Sequence, residues 1–226
     1  MKKTLFTILI FAFSIWHFAG AQTQPQFLVS WQAQNYVPSW YQGKILPISG
    51  TPVNISFELI DNGKSADLSK TTVRWYVNDN LVLNENNGLG IKNLKINIPN
   101  NSGGQTEIRI VVLDYLESGM IDKLIEIPVV NPEAVINAPY LDGKIKTGSS
   151  IFDLSPFFFN IKNILNLSVD WSVNGQKPTE GDNPYVLNLN IGSETPKDTA
   201  INLSVLVKNI LKDLEFASQS LNLVIQ

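Results

Sequence analysis

Hydrophobic and polar residues alternate with a period of two over most of this chain. Residues 53–59 read Val-Asn-Ile-Ser-Phe-Glu-Leu, and residues 201–205 read Ile-Asn-Leu-Ser-Val. Such segments have one apolar face, as expected of strands that cover a core on one side. Turn-forming clusters such as Asn78-Asp79-Asn80 separate them. The pattern predicts an all-β protein, in which residues 160–167, with near-helical spacing, form at most a single helical turn.

The chain also contains a tandem repeat. Trp75 lies in Val-Arg-Trp-Tyr-Val-Asn-Asp and Trp171 in Val-Asp-Trp-Ser-Val-Asn-Gly, while Gly-Lys-Ile occurs at 43–45 and again at 143–145. A third match aligns residues 106–110 with residues 199–203. The offsets drift slowly, as short loop deletions in a duplicated domain produce. We therefore predict two tandem immunoglobulin-like β-sandwiches, domain 1 at 22–131 and domain 2 at 134–226, joined by a short proline-containing linker.

Each copy has one tryptophan at the centre of a predicted strand, and we expect its indole to pack across the core. The chain has no cysteine, so the core cannot contain the disulfide that many immunoglobulin domains place beside this tryptophan. Large apolar side chains are expected to fill that volume instead. The predicted core residues are Trp75 with Ile55 or Phe57 and Ile110 in the first copy, and Trp171 with Phe157 or Phe159 and Leu203 in the second.

The Trp-x-Val-Asn hairpins resemble the bacterial Ig-like and PKD-like domains of exported and surface proteins, and the resemblance covers residues 25–226. PKD domains carry Gly-Asp-Gly after the tryptophan, whereas this chain has Asn78-Asp79-Asn80 and Asn174-Gly175-Gln176. The resemblance is therefore to generic Ig-like domains rather than to PKD domains proper. It implies a spacer, adhesion or assembly module and no defined reaction.

The first residues predict export. Lys2 and Lys3 precede an apolar run from Leu5 to Trp16, and Ala19-Gly20-Ala21 provides the small residues of a signal peptidase site. We predict a cleaved signal peptide at residues 1–21 and a mature chain without a membrane span, located in the periplasm, on the cell surface or outside the cell. The alternative is an uncleaved anchor, but the run is shorter than the roughly 20 residues that cross a bilayer.

The composition excludes most catalytic chemistry in the mature chain. The single histidine lies at position 17 and there is no cysteine, so Ser-His-Asp and Cys-His sites and the usual zinc or haem ligands are absent. A net charge of -3 without a basic cluster argues against a nucleic-acid partner. Turn carboxylates could hold calcium, but they lack the Asp-x-Asp-x-Asp spacing of calcium loops. We predict a non-enzymatic protein without a cofactor.

The candidate surface site is an aromatic group near the N-terminus, formed by Trp31, Tyr36, Trp40 and Tyr41. Such side chains stack on sugar rings or anchor protein partners. Alternatively, they cover the end of the first sandwich or the domain interface. The predicted function is binding, spacing or assembly among bacterial envelope proteins. The alternatives are a carbohydrate-binding module and a two-domain periplasmic chaperone for surface appendages, although the basic pair of such chaperones was not found.

Overall fold

The computed structural model describes residues 24–84, 90–100, 104–115, 119–138, 142–179 and 181–226. The predicted signal peptide lies outside these ranges. Within them, regular secondary structure consists of β-strands and one 3-10 turn, Ile164–Asn166, inside the segment with near-helical spacing. No helix among these residues has the length and apolar character needed to cross a membrane.

The first sandwich consists of two antiparallel sheets. One sheet pairs β1 with β2, whose other edge pairs with β6 and β3, and the second sheet has the order β5-β4-β7-β8. The strands are β1 (Gln26–Ala33), β2 (Pro52–Asp61), β3 (Lys64–Ser65), β4 (Thr72–Val77), β5 (Asn80–Asn84), β6 (Asn93–Asn97), β7 (Gln105–Leu113) and β8 (Met120–Pro128).

The second sandwich repeats this plan with differences at the edges of its sheets. Its sheets have the orders β13-β11-β9 and β10-β15-β14-β12, and β10 runs parallel to β15. The outer edge of β12 has no counterpart of β5 among the described strands. The strands are β9 (Glu133–Asn137), β10 (Lys144–Ile145), β11 (Gly148–Phe157), β12 (Leu167–Val173), β13 (Val186–Ile191), β14 (Ala200–Asn209) and β15 (Phe216–Ile225). The predicted fold class, two tandem immunoglobulin-like sandwiches, is confirmed.

The two tryptophans lie in their cores in equivalent ways. Trp75 on β4 is fully buried, opposes Ile110 on β7, and contacts Phe57 edge-on with ring centroids 5.5 Å apart. Trp171 on β12 is 8% exposed. Each indole N–H donates to a backbone carbonyl, that of Ile91 two residues before β6 at 3.1 Å and that of Pro184 two residues before β13 at 2.9 Å. The buried donor is thereby satisfied in both sandwiches.

The third repeat match was wrong by two residues. Trp171 opposes Val205, so Val205 is the counterpart of Ile110, and Leu203 instead opposes Val173 on β12. Leu203 is nevertheless fully buried in the second core. The error arose because both strands have apolar residues at every second position, so that a shift by two leaves the pattern unchanged.

Phe157 was expected in the core of the second sandwich, and it lies elsewhere. The inner face of β11 is formed by Phe152 and Leu154, and Phe159 joins the same core. Phe157 and Phe158 are buried in a separate cluster between the two sandwiches. Phe157 is an odd number of residues from Phe152 and Leu154 along β11, so it lies on the opposite face of the sheet. The φ of 62° at Phe158 then breaks the alternation, so that Phe159 does not share the face of Phe157 and reaches the core.

Candidate binding surface near the domain junction

The two sandwiches are connected by a short linker between Pro128 and Glu133 and by a second, non-covalent connection. The backbone N–H of Tyr36 donates to the carbonyl of Phe159 at 2.7 Å, and the N–H of Phe158 donates to the carbonyl of Tyr36 at 2.7 Å. The side-chain amide of Asn35 donates to the carbonyl of Phe158 at 2.8 Å. Residues 35 and 36 thus hold the start of the β11–β12 loop as a short antiparallel bridge.

These hydrogen bonds explain how Phe158 keeps a left-handed backbone. A positive φ is rare for a bulky residue and persists only where the surroundings enforce it. Here the N–H and the carbonyl of Phe158 are both bonded to the first sandwich. The backbone of the second sandwich at this point therefore depends on the first.

Asn160 extends the connection with its side chain. Its amide oxygen accepts from the Thr51 hydroxyl at 2.8 Å, and its amide nitrogen donates to the Ser49 carbonyl at 3.1 Å. Its backbone N–H donates to the Glu215 carboxylate at 2.5 Å. Glu215 is 7% exposed and also accepts from the side chain of Asn209 at 3.0 Å. The junction is thus linked directly to the turn between β14 and β15.

An apolar cluster fills the rest of the junction, with contributions from both sandwiches. Phe157 is its centre, because Trp40 and Tyr41 contact it edge-on with ring centroids 5.7 Å and 5.6 Å away. Its buried members are Ile48, Phe157 and Phe158, and the partly buried ones are Val37, Tyr41, Leu46, Val130 and Val135. Large rings packed between two domains favour one fixed arrangement.

The predicted aromatic site is not a single surface in the structure. Tyr36 and Tyr41 are half-buried in the junction, and Trp40 leans on Phe157 while remaining 61% exposed. Trp31 lies on β1, where the Lys44 ammonium is 4.0 Å from its ring centroid and donates to its carbonyl at 2.7 Å. Three of the four residues therefore pack at the domain interface, and Trp31 forms a separate cation–π pair.

Two tyrosines near the junction have altered acidity. Burial raises the pKa of Tyr36. Burial, together with the nearby Tyr36, raises the pKa of Tyr185 to about 12. The hydroxyl of Tyr185 donates to the carbonyl of Ile164 at 2.8 Å, which ties it to the 3-10 turn. Both phenols are neutral hydrogen-bonding groups at physiological pH.

The most exposed apolar surface lies on the turn between β14 and β15. Five large apolar side chains on and beside this turn are 53% to 93% exposed. We call them the F–G cluster, and its members are Leu165, Ile210, Leu211, Leu214 and Phe216. Sequence analysis missed it, although the run Ile-Leu-Lys-Asp-Leu between two strands is a visible signal, because turns of this kind are normally polar.

The turn that carries the F–G cluster is well organised. Three backbone hydrogen bonds of 2.9–3.1 Å connect Asn209, Lys212 and Glu215 in a closed set, and the Asn209 side chain accepts from the N–H of Leu211 at 2.9 Å. The N–H of Ile210 donates to the carbonyl of Asn166 at 2.9 Å, which brings Leu165 alongside. The apolar side chains are thus presented by a framework that does not need to order on binding.

The equivalent turn of the first sandwich differs in chemistry. It reads Asp-Tyr-Leu-Glu-Ser-Gly from Asp114 to Gly119. Tyr115 is buried, and its hydroxyl donates to the Asp61 carboxylate at 2.9 Å. At the described position 115 the first copy therefore has a buried, hydrogen-bonded tyrosine where the second copy has the exposed Ile210.

The ionisable residues do not converge in the part of the chain that the structure describes. It contains no group of three or more His, Cys, Asp or Glu side chains that could hold a metal ion. Glu58 pairs with Lys92 at 2.8 Å on the surface, and the hydrogen bonds from Lys92 and Ser65 lower the pKa of its carboxyl. This is a stabilising surface pair rather than an acid–base site.

No protein-family model and no curated protein sequence matches this chain. The chain spans about half to three fifths of the length of the following three solved structures. The three N-terminal domains of the bacteriophage RB49 outer capsid protein Hoc are 13% identical, with a TM-score of 0.46 and coverage of 88% of this chain and 59% of that one. The ICAM-5 D1–D4 ectodomain fragment is 10% identical, with a TM-score of 0.31 and coverage of 87% and 53%. The Bacteroides ovatus protein SGBP-B, in complex with a mixed-linkage heptasaccharide, is 14% identical, with a TM-score of 0.26 and coverage of 92% and 48%.

Proposed function

We propose that this chain is a non-enzymatic bacterial envelope protein, exported by its N-terminal signal, that binds another envelope protein through the F–G cluster. The single observation that carries the proposal is the set of five exposed apolar side chains on and beside one hydrogen-bonded turn. Contiguous apolar surface of this kind marks interaction sites on soluble proteins. The loops at the end of an immunoglobulin-like sandwich are also a common recognition surface of the fold.

The energetics favour binding by this turn. Burying one large aliphatic or aromatic side chain contributes about 1.5–3 kcal/mol. A few such side chains at the centre of an interface supply most of its affinity. Hydrogen bonds between Asn209 and Glu215 already fix the conformation of the turn. Little conformational entropy is therefore lost when a partner covers it. The junction contacts of Asn35 and Asn160 would keep the cluster at a fixed distance from the first sandwich.

Site-specific photo-crosslinking in the native envelope tests the proposal. A photoreactive residue at position 214 should capture a defined partner, and the double variant Leu211→Asp with Phe216→Asp should abolish that product. Leu28 on β1 provides a matched control, since it is 59% exposed on the first sandwich. Capture of the same partner from position 28, or unchanged capture by the double variant, would refute a specific surface at the F–G cluster.

The carbohydrate-binding alternative depends on Trp40, because the other three predicted aromatics are packed against protein. One exposed indole next to the junction could stack on a sugar ring. A glycan array with the wild-type protein and Trp40→Ala distinguishes the two functions. The carbohydrate function would be favoured by two results together. The wild-type protein would bind a glycan that Trp40→Ala does not bind, and the photoreactive residue at position 214 would capture no partner.

A further inference from the structure

The second sandwich has an open edge where the first has a strand. In the first sandwich β5 pairs with β4, and Leu83 of β5 lies opposite Trp75 and packs against the first core. In the second sandwich β12 is the last strand of its sheet, and a short bridge between Val173 and Gln176 is the only pairing recorded on its outer side among the described residues. The equivalent position beside Trp171 is therefore without a strand.

The backbone of β12 has hydrogen-bonding groups that face this edge. The N–H of Val173 donates to Gln176 at 2.8 Å, on the side away from β14. Because backbone groups alternate along a strand, those of Trp171 and Val169 face the same way. No described backbone group outside the β12–β14 ladder bonds to them. Such an edge is a template for one more strand.

A cavity of about 210 Å³ lies beside this edge. Val169, Trp171 and Leu187 contribute apolar walls, and the bordering loop adds polar groups, among them Lys177, Thr179 and Asn183. Small-molecule sites usually measure about 300–1,000 Å³, whereas an apolar cavity of about 150 Å³ takes one benzene ring. The size suits one large apolar side chain and is too small for an oligosaccharide.

Charge indicates which chain supplies that side chain. If a second copy paired antiparallel through its own β12, using the free groups of Val169 and Trp171 on both strands, the two Asp170 residues would stand directly opposite each other. Asp170 is exposed on the outer face of the sheet. Like charges in opposed positions destabilise a strand pair. A strand with a basic residue at that position complements Asp170, and in this register it is favoured over a second β12.

We propose that β12 accepts an extended strand of a different protein, whose apolar side chain enters the cavity beside Trp171 and whose neighbouring basic residue lies opposite Asp170. This is strand addition to an open edge. The first sandwich shows the pattern within its own chain, with Leu83 opposite Trp75 and Asn84 opposite Arg74. The site is separate from the F–G cluster and does not depend on the function proposed for it.

A peptide with the sequence Asn-Leu-Val-Leu-Lys-Thr is the probe. It copies residues 80–83 and places lysine where Asn84 stands, so that its second leucine aligns with Trp171, its lysine with Asp170 and its threonine with Val169. Fluorescence anisotropy of the labelled peptide should show saturable binding to the full protein. In amide hydrogen exchange, the N–H groups of Val169 and Trp171 should exchange more slowly when the peptide is present.

Two variants test the register. Val169→Pro removes an edge-facing N–H while leaving the β14 ladder intact, and should weaken binding about tenfold, whereas Val169→Ala keeps the N–H and should bind more strongly than the proline variant. Asp170→Lys should not affect folding, because the side chain of Asp170 is exposed. It should weaken the lysine peptide about threefold and favour a peptide with glutamate in place of that lysine by a similar factor.

Several results would overturn the proposal. One is the absence of saturable binding at millimolar peptide. Another is equal binding of both peptides by wild type and Asp170→Lys. Protection of the Val169 and Trp171 amides in the free protein would show that the edge is already covered. Sedimentation that reveals a dimer, lost in Val169→Pro, would identify a second copy as the occupant instead.

Discussion

Asn78 and Glu107 are joined by two hydrogen bonds between neighbouring strands of the first sandwich. The backbone N–H of Asn78 donates to the Glu107 carbonyl at 2.9 Å, and the Asn78 side-chain oxygen accepts from the Glu107 N–H at 2.9 Å. Asn174 and Asn202 make the same two contacts in the second sandwich, both at 2.8 Å. The repeated Trp-x-Val-Asn motif thus combines a core anchor with a clamp on the adjacent strand.

Replacing Asn78 by alanine should destabilise the first sandwich by about 2 kcal/mol. The change removes one hydrogen bond and leaves alanine at a φ of 47°, which asparagine tolerates better. Asn78→Asp retains the acceptor oxygen and should cost clearly less. Urea denaturation of both variants measures the difference, and equal losses for alanine and aspartate would show that the side-chain bond to Glu107 contributes nothing.

The two core tryptophans should differ in their tolerance of truncation. Trp75→Ala should cost about 3–5 kcal/mol and unfold the first sandwich, because the indole is fully buried against Phe57. Trp171→Ala should fall at or below the lower end of that range, since Trp171 already borders a cavity of about 210 Å³. Calorimetry can compare the two variants. A larger loss for Trp171 would contradict the packing difference.

The architecture could be predicted from sequence because alternation and repetition are local signals. The segments around Trp75 and Trp171 had the strand period, and their repetition indicated two similar domains. The alignment of Leu203 with Ile110 failed because a shift by two preserves alternation. The separation of Phe157 from Phe159 could not be foreseen, since it depends on the left-handed backbone of Phe158, which contacts with Asn35 and Tyr36 across the junction enforce.

The candidate site was predicted less well for a related reason. The sequence of Tyr36 and Tyr41 fits both a ligand-binding surface and packing at the domain interface. Only the tertiary structure shows that these side chains cover the junction. The F–G cluster was visible in sequence as apolar residues within a turn. The cluster is a candidate binding surface only because residues such as Leu214 are exposed. The alternation of apolar and polar residues predicts exposure in strands but not in turns.

The side chain of Asn160 should couple the two sandwiches. Asn160→Ala removes the bonds to Thr51 and Ser49, and we expect the second sandwich to lose about 1–3 kcal/mol and the domain orientation to broaden. Spin-label distances between the sandwiches measure that orientation. Asn222→Ala is the matched control, because Asn222 bonds to Asn202 on the surface, away from the junction. An unchanged distance distribution in Asn160→Ala would show that the linker alone fixes the arrangement.

Tyr185 should make the second sandwich sensitive to alkali. Its pKa is raised from 10.0 to about 12, so between these values the folded state keeps a proton that the unfolded state has lost. The stabilising contribution is therefore complete below about pH 10 and is lost as the pH rises towards 12. Tyr185→Phe removes this titration and also the hydrogen bond to Ile164, at a cost of about 1 kcal/mol near neutral pH. The stability difference between wild type and Tyr185→Phe, measured by urea denaturation from pH 8 to 11.5, should shrink above pH 10. The other ionisable residues are the same in both proteins, so a constant difference would mean that the Tyr185 hydroxyl has an ordinary pKa.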